Sequence, residues 1–150
     1  MTRGPEFEKA RAEAAAFIGI TASKSSGRVR QNLLKKGFDK AMADQAVLYF
    51  IERGYIDDER AAEAIARRYQ GRKLRSQRMM AQVFIQNGID RDLACRAAGR
   101  LPDDRETALE LCRAQSSSDE ETLLKLLLRR GYPHGLAREA VKNHMKKENE

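Results

Sequence analysis

Apolar residues along this chain recur three and four positions apart, and three times such a stretch ends in glycine followed by a large apolar residue. The stretches are Leu33-Leu34-Lys35-Lys36-Gly37-Phe38, Phe84-Ile85-Gln86-Asn87-Gly88-Ile89 and Leu127-Leu128-Arg129-Arg130-Gly131-Tyr132. With the glycines in register, the positions eight, four and three before and one, six, nine and ten after are apolar in every copy. The sixth and ninth after are always alanine: residues 43, 46, 94, 97, 137 and 140. Amphipathic helices alone make many positions apolar, so the repeated glycine and paired alanines carry the signal of a tandem helical repeat.

The physics of helix ends explains the glycines. A residue in the left-handed conformation just past a helix costs glycine almost nothing, and the next residue then folds back on the one five before it. Contacts of Phe38 with Leu33, Ile89 with Phe84 and Tyr132 with Leu127 are predicted, and Arg53-Gly54-Tyr55 repeats the device against Phe50. Ser25, Ser76, Asp57 and Asp103 are candidate amino-terminal caps, Ser118 to Glu121 fits a capping box with Asp119 in strict register, and Gly4-Pro5 opens the first helix. The pattern predicts helices near 6–19, 26–36, 40–53, 58–70, 77–87, 91–101, 104–115, 119–130 and 134–147. No segment alternates as a strand would, and β-branched residues are sparse. The fold class is therefore all-α: three tandem three-helix repeats over 6–56, 57–102 and 103–150, expected as an elongated, curved array.

Glycine spacings of 51 and 43 residues place the length differences in the connections. Gly19 to Gly27 and Gln115 to Ser118 are the candidate linkers, the former expected to be flexible, though both also read as ordinary loops. With nine aromatic residues, no tryptophan and 34% charged residues, each small bundle buries little and leans on its neighbours. No apolar run approaches the roughly 20 residues of a membrane span, and the amino terminus lacks a signal core, so a cytosolic protein is expected.

Chemistry is scarce. Cys95 and Cys112 are too few and too separated for a disulfide framework or zinc site, His134 and His144 complete no ligand set, and both cysteines read as buried thiols on apolar faces. There is no nucleophile elbow and no phosphate loop, and Asp57-Asp58 and Asp103-Asp104 stand where helix starts favour negative charge. Neither catalytic residues, cofactor nor metal are expected.

Net charge of +7 and a pI near 9.6 point instead to a polyanion or an acidic protein face. The run from Arg67 to Arg78 holds six cations, Arg67, Arg68, Arg72, Lys73, Arg75 and Arg78, and no anion. Arg67 and Arg68 can answer a helix dipole, an explanation that Arg72, Lys73 and Arg75 lack. Lys35, Lys36, Arg129 and Arg130 precede their glycines, where cations are expected for local reasons as well as for a partner. Arg28 and Arg30 lie near a helix start and oppose its dipole, so they need another reason, which a partner's negative charge could supply. The acidic stretches 57–59, 103–106 and 119–121 read as caps and solvated faces.

Ser25 followed twelve residues later by Gly37-Phe38, the run Gly54-Tyr55-Ile56-Asp57-Asp58-Glu59-Arg60 and the third-repeat Arg129-Arg130-Gly131-Tyr132 together resemble the RecX regulators of the bacterial recombinase RecA. The resemblance spans roughly 12–145 and departs at Arg28, where the family commonly carries an acid, and at Ala61, where an aromatic often follows the acidic pair. It implies a modular, all-helical protein that binds RecA, lies in the groove of the helical RecA–DNA filament and restrains recombinase, ATPase and coprotease activities without chemistry of its own, touching DNA directly or not; a monomer is expected. A sequence-independent DNA-binding helical protein and a scaffold for another protein remain as alternatives.

Overall fold

The computed structural model describes residues 4–116 and 119–148, the side chain of 148 excepted. Among these residues it is all-helical: α1 Pro5–Ile18, α2 Ser26–Lys35, α3 Lys40–Glu52, α4 Asp58–Arg67, α5 Gln77–Gln86, α6 Arg91–Gly99, α7 Asp104–Ala114, α8 Glu120–Arg129 and α9 His134–Glu148, with a 3-10 turn at Gly71–Lys73. The chain forms two compact units, Met1–Ala64 with Phe84–Leu93, and Ile65–Val83 with Ala94–Glu150.

Helix boundaries follow the caps. Gly4 and Pro5 open α1, Ser25 and Asp39 accept from the third amide beyond them, Asp57 and Asp103 accept from the second, and Asp119 caps α8 through the Thr122 amide. Ser118, the other half of the expected capping box, lies outside the described residues, as does Ser117 of the expected linker. The largest departure is α4, predicted to run to 70 but ending at Arg67, where Arg68 and Tyr69 bond three residues back rather than four and Gly71 turns left-handed.

At the other ends, Gly37, Gly54, Gly88 and Gly131 all have φ between 79° and 96°. Phe38, Tyr55, Ile89 and Tyr132 each return an amide to the carbonyl five residues earlier, at 3.0–3.1 Å. These are the fold-backs read from the sequence.

In the first unit α1, α2 and α3 pack on one another around Phe7, Ile18, Val29, Leu33, Phe50 and Ile56. Fully buried Ala10, Ala14, Ala43 and Ala46 belong to the same core, where small side chains let the helices approach closely. In the second unit α7, α8 and α9 pack on one another around Leu111, Leu123, Leu127 and Tyr132, with Ala108, Ala137 and Ala140 on the facing stripes. Burial of one such leucine contributes about 1.5–3 kcal/mol. Tyr132 donates to or accepts from the Thr107 hydroxyl at 2.8 Å, and burial raises its phenol to a pKa of about 12. Cys112 is buried and raised to about 11, whereas Cys95 is exposed, contrary to expectation. The reason is helical phase: α6 turns Leu93, Ala94, Ala97 and Ala98 inward, which leaves residue 95 on the opposite side.

Each unit also holds a joint between helix ends that are distant in sequence. In the first, the Ser25 hydroxyl accepts from the Arg28 amide at 3.2 Å and donates to the Asn87 carbonyl at 2.6 Å, next to Gly88. The Asp58 carboxylate accepts from the Ser26 amide at 2.7 Å and the Ser26 hydroxyl at 2.6 Å. In the second, the Ser76 amide donates to the Arg130 carbonyl at 2.9 Å, next to Gly131, and Asp104 accepts from the Gln77 amide at 2.8 Å. The acidic pairs thus divide their work: Asp57 and Asp103 cap their own helices, while Asp58 and Asp104 satisfy an orphan amide of α2 or α5.

Contact at the joints is tight. A Cβ on Gly88 would lie 2.5 Å from Ser25 Oγ and 2.8 Å from the Arg28 nitrogen, whereas one on Gly37 would meet nothing within 4 Å. Gly37→Ala is expected to cost only the left-handed penalty, roughly 1–2 kcal/mol, and Gly88→Ala about 3 kcal/mol or more because the joint must also open. Urea denaturation of the two variants checks this; equal losses would contradict the description of the joint.

Candidate partner-binding surface

The sequence-predicted cations divide into those with an intramolecular task and those without. In the first unit Arg28 lies over the Phe17 ring at 5.7 Å, and Arg30 pairs with Asp44 at 2.7 Å across exposed side chains. These contacts supply the reason that their place near a helix start required. Lys36 reaches Glu13 only at 3.9 Å, and Lys35 has no side-chain partner among the described residues. The connection from Gly19 to Gly27, expected to be flexible, is tied at its middle: Arg60 Nε donates to the Ala22 carbonyl at 2.9 Å, and Lys24 and Arg28 both lie over Phe17.

In the second unit the fold brings together two basic stretches that are some fifty residues apart in sequence. Arg130 Nη1 donates to the carbonyls of Arg72 at 2.8 Å and Leu74 at 3.0 Å, clamping the 3-10 turn to the end of α8. Arg72 Nε donates to the Ala114 carbonyl at 3.0 Å at the end of α7. Arg75 lies over the Tyr69 ring at 4.5 Å and donates to the Lys73 carbonyl at 2.6 Å. Arg72 and Arg75, for which the sequence offered only a partner, therefore also organise this turn. Partial burial, then the charges of Arg75 and Arg129, lower the Arg130 guanidinium pKa, which marks the three cations as close neighbours.

Arg67, Arg68, Lys73, Arg78 and Arg129 are exposed, and their side chains have no partner among the described residues. The structure thus presents a framework of Arg72, Arg75 and Arg130 in the same unit as five uncommitted cations. Exposed charges without a local partner contribute little to stability and remain available to an anionic surface. Among the described residues no group of three or more His, Cys, Asp or Glu is arranged to hold a metal ion, and no helix is long and apolar enough to cross a membrane.

The chain is 30% identical to the Regulatory protein RecX of Amycolatopsis mediterranei (strain U-32), over 93% of this chain and 85% of that protein. It belongs to the RecX family. No family model and no solved structure matches it.

The stretch through which the sequence resembles RecX proteins acquires a physical reading here. From Gly54 to Arg60, the left-handed glycine ends α3, Ile56 is buried, Asp57 caps α4, Asp58 holds the start of α2, and Arg60 donates to the carbonyls of Gly54 and Ala22, both at 2.9 Å. At the two departures from the RecX pattern, Arg28 covers Phe17 and Ala61 is fully buried. The clamp role of Arg130 had no distinct sequence signal, because a cation at a helix end is already favoured by the dipole. Arg130→Ala is expected to lower stability by about 1.5–3 kcal/mol, because charged hydrogen bonds to two carbonyls are lost. Arg129→Ala should stay within about 0.5 kcal/mol of the wild type. Chemical denaturation distinguishes them, and equal effects would contradict the clamp.

Proposed function

We propose that this RecX-family protein is a non-enzymatic regulator of the recombinase RecA, binding RecA and its filament on DNA and inhibiting recombinase, ATPase and coprotease activities. The observation that carries the reading is the set of exposed, unpartnered cations Arg67, Arg68, Lys73, Arg78 and Arg129 on a RecX-family helical scaffold. A nucleoprotein filament offers both acidic protein surface and phosphate, and either can satisfy such charges. Arg28, Arg30, Lys35 and Lys36 extend the basic character to the first unit, with Lys35 the least committed of them.

The protein works as three repeats over 6–56, 57–102 and 103–150, a monomer in the cytoplasm with no cofactor. Contacts from several small modules add through effective concentration, so individually weak contacts suffice. Occupation of one filament conformation, or of its growing end, shifts the population away from the active form. Arg72, Arg75 and Arg130 hold the basic turn in shape, and the uncommitted cations meet the partner.

A direct DNA-binding reading is favoured by the convergence of Arg75, Arg129 and Arg130, and salt separates the two. Phosphate-dominated binding to duplex DNA weakens with a log–log slope of about −0.9 per contact and needs no recombinase. The decisive assay adds purified protein to RecA hydrolysing ATP on single-stranded DNA. Hydrolysis is expected to fall at stoichiometric protein, and a variant with Arg67, Arg68, Lys73 and Arg78 changed to alanine should inhibit at least tenfold less well while keeping its melting temperature. Unchanged hydrolysis at stoichiometric excess of the wild type would overturn the regulator reading.

A further inference from the structure

Two of the three repeated glycines are seats for another helix. Gly88 receives the start of α2, and Gly131 the start of α5; a Cβ on either would stand 2.5 Å from the Oγ of the arriving serine. The carbonyl just before each glycine, Asn87 or Arg130, accepts a hydrogen bond from that serine, from its hydroxyl at 2.6 Å or its amide at 2.9 Å. At the second seat the side chain before the glycine also grips the arriving chain, since Arg130 Nη1 donates to the carbonyls of Arg72 and Leu74, four and two residues before Ser76.

Gly37 closes α2 with the same construction, and among the described residues nothing sits on it. Its sequence, Leu33-Leu34-Lys35-Lys36-Gly37-Phe38, matches Leu127-Leu128-Arg129-Arg130-Gly131-Tyr132 residue class for residue class. Its φ of 96° and the bond from Phe38 to the Leu33 carbonyl reproduce the geometry of the occupied ends. Yet among the described residues nothing lies within 4 Å of the place a Cβ would take and the Lys36 carbonyl accepts no hydrogen bond, and Gly37 is exposed.

We propose that the end of α2, comprising the Lys36 carbonyl, the open face of Gly37 and the ammonium groups of Lys35 and Lys36, is a docking site for a helix amino terminus of the regulated recombinase, one with a serine or threonine cap and acidic residues in its first turn. The identity of the partner rests on the proposed function; the cap chemistry of the ligand rests on the two occupied seats, and its acids on Lys35 and Lys36. The cap hydroxyl or amide donates to the Lys36 carbonyl, as at Asn87 and Arg130. The acid of the internal seats is missing from this one: where α4 and α7 begin with Asp58 and Asp104, α1 begins with Pro5. Lys35 and Lys36, the latter 3.9 Å from Glu13, stand at the seat and favour a ligand that carries acids after its cap, where helix starts favour them. A second copy of this chain, whose α8 start carries Glu120 and Glu121 behind the Asp119 cap, is the competing occupant that the test separates from the recombinase.

The test is binding of the full-length protein to RecA filaments assembled on single-stranded DNA with a slowly hydrolysed ATP analogue. Gly37→Asn keeps a residue that tolerates the left-handed conformation but places a side chain on the seat. It is expected to weaken binding at least tenfold while changing the melting temperature by only a few degrees. Lys36→Glu, a surface change independent of backbone strain, should weaken binding similarly, and Lys36→Arg, which copies Arg130, should preserve it. Wild-type binding unaltered by both Gly37→Asn and Lys36→Glu would overturn the docking site alone, whereas absence of wild-type binding would overturn the regulator reading itself. Self-association of the wild type in sedimentation, removed by Gly37→Asn, would overturn the partner assignment in favour of a second copy.

Discussion

The arrangement depends on one contact, the start of a helix seated against the left-handed glycine that ends another. A helix terminus leaves orphan amides or carbonyls, and burying it without partners costs more than most side-chain contacts return. Here the two kinds of orphan answer each other. A serine bonds to the carbonyl before the glycine, an aspartate takes the next amide, and Ser25 and Ser76 are both almost fully buried. Glycine is required twice over, by its positive φ and by the absence of room for a Cβ. Residues far apart in the chain are fixed against each other by a few short polar bonds rather than by a large apolar interface, which suits a sequence with 6% aromatic residues.

The same economy governs the charges. Part of the basic composition is consumed in holding backbone together: Arg60 on Ala22 and Gly54, Arg72 on Ala114, and Arg130 on Arg72 and Leu74. A guanidinium can span two carbonyls while its outer face stays hydrated, so these residues serve structure without neutralising the field. Net charge therefore overstates what is free for a partner, and the residues without intramolecular contacts are the ones to which binding is assigned.

Much of the fold was legible because helix ends leave local marks. The glycine-plus-apolar ends, the caps at Ser25, Ser76, Asp57 and Asp103 and the alanine faces follow from short-range geometry, and they are found where the pattern put them. What the sequence withheld was long-range. Nothing near Asp58 or Asp104 announces that its carboxylate serves an amide 32 or 27 residues earlier in the chain. Nothing near Arg130 announces a clamp on a turn 58 residues away. The paired acids carried the only hint, since one cap needs one acid. Exposure of Cys95 was misread because a short helix with four inward apolar positions leaves little margin in phase.

The joint is tested most directly by a double-mutant cycle on Ser26 and Asp58, whose side chains meet at 2.6 Å across 32 residues of sequence. Unfolding free energies of the wild type, Ser26→Ala, Asp58→Ala and the double variant give the coupling. Residues that share such a bond should couple by about 0.5–3 kcal/mol. Strictly additive losses would contradict a joint at this position.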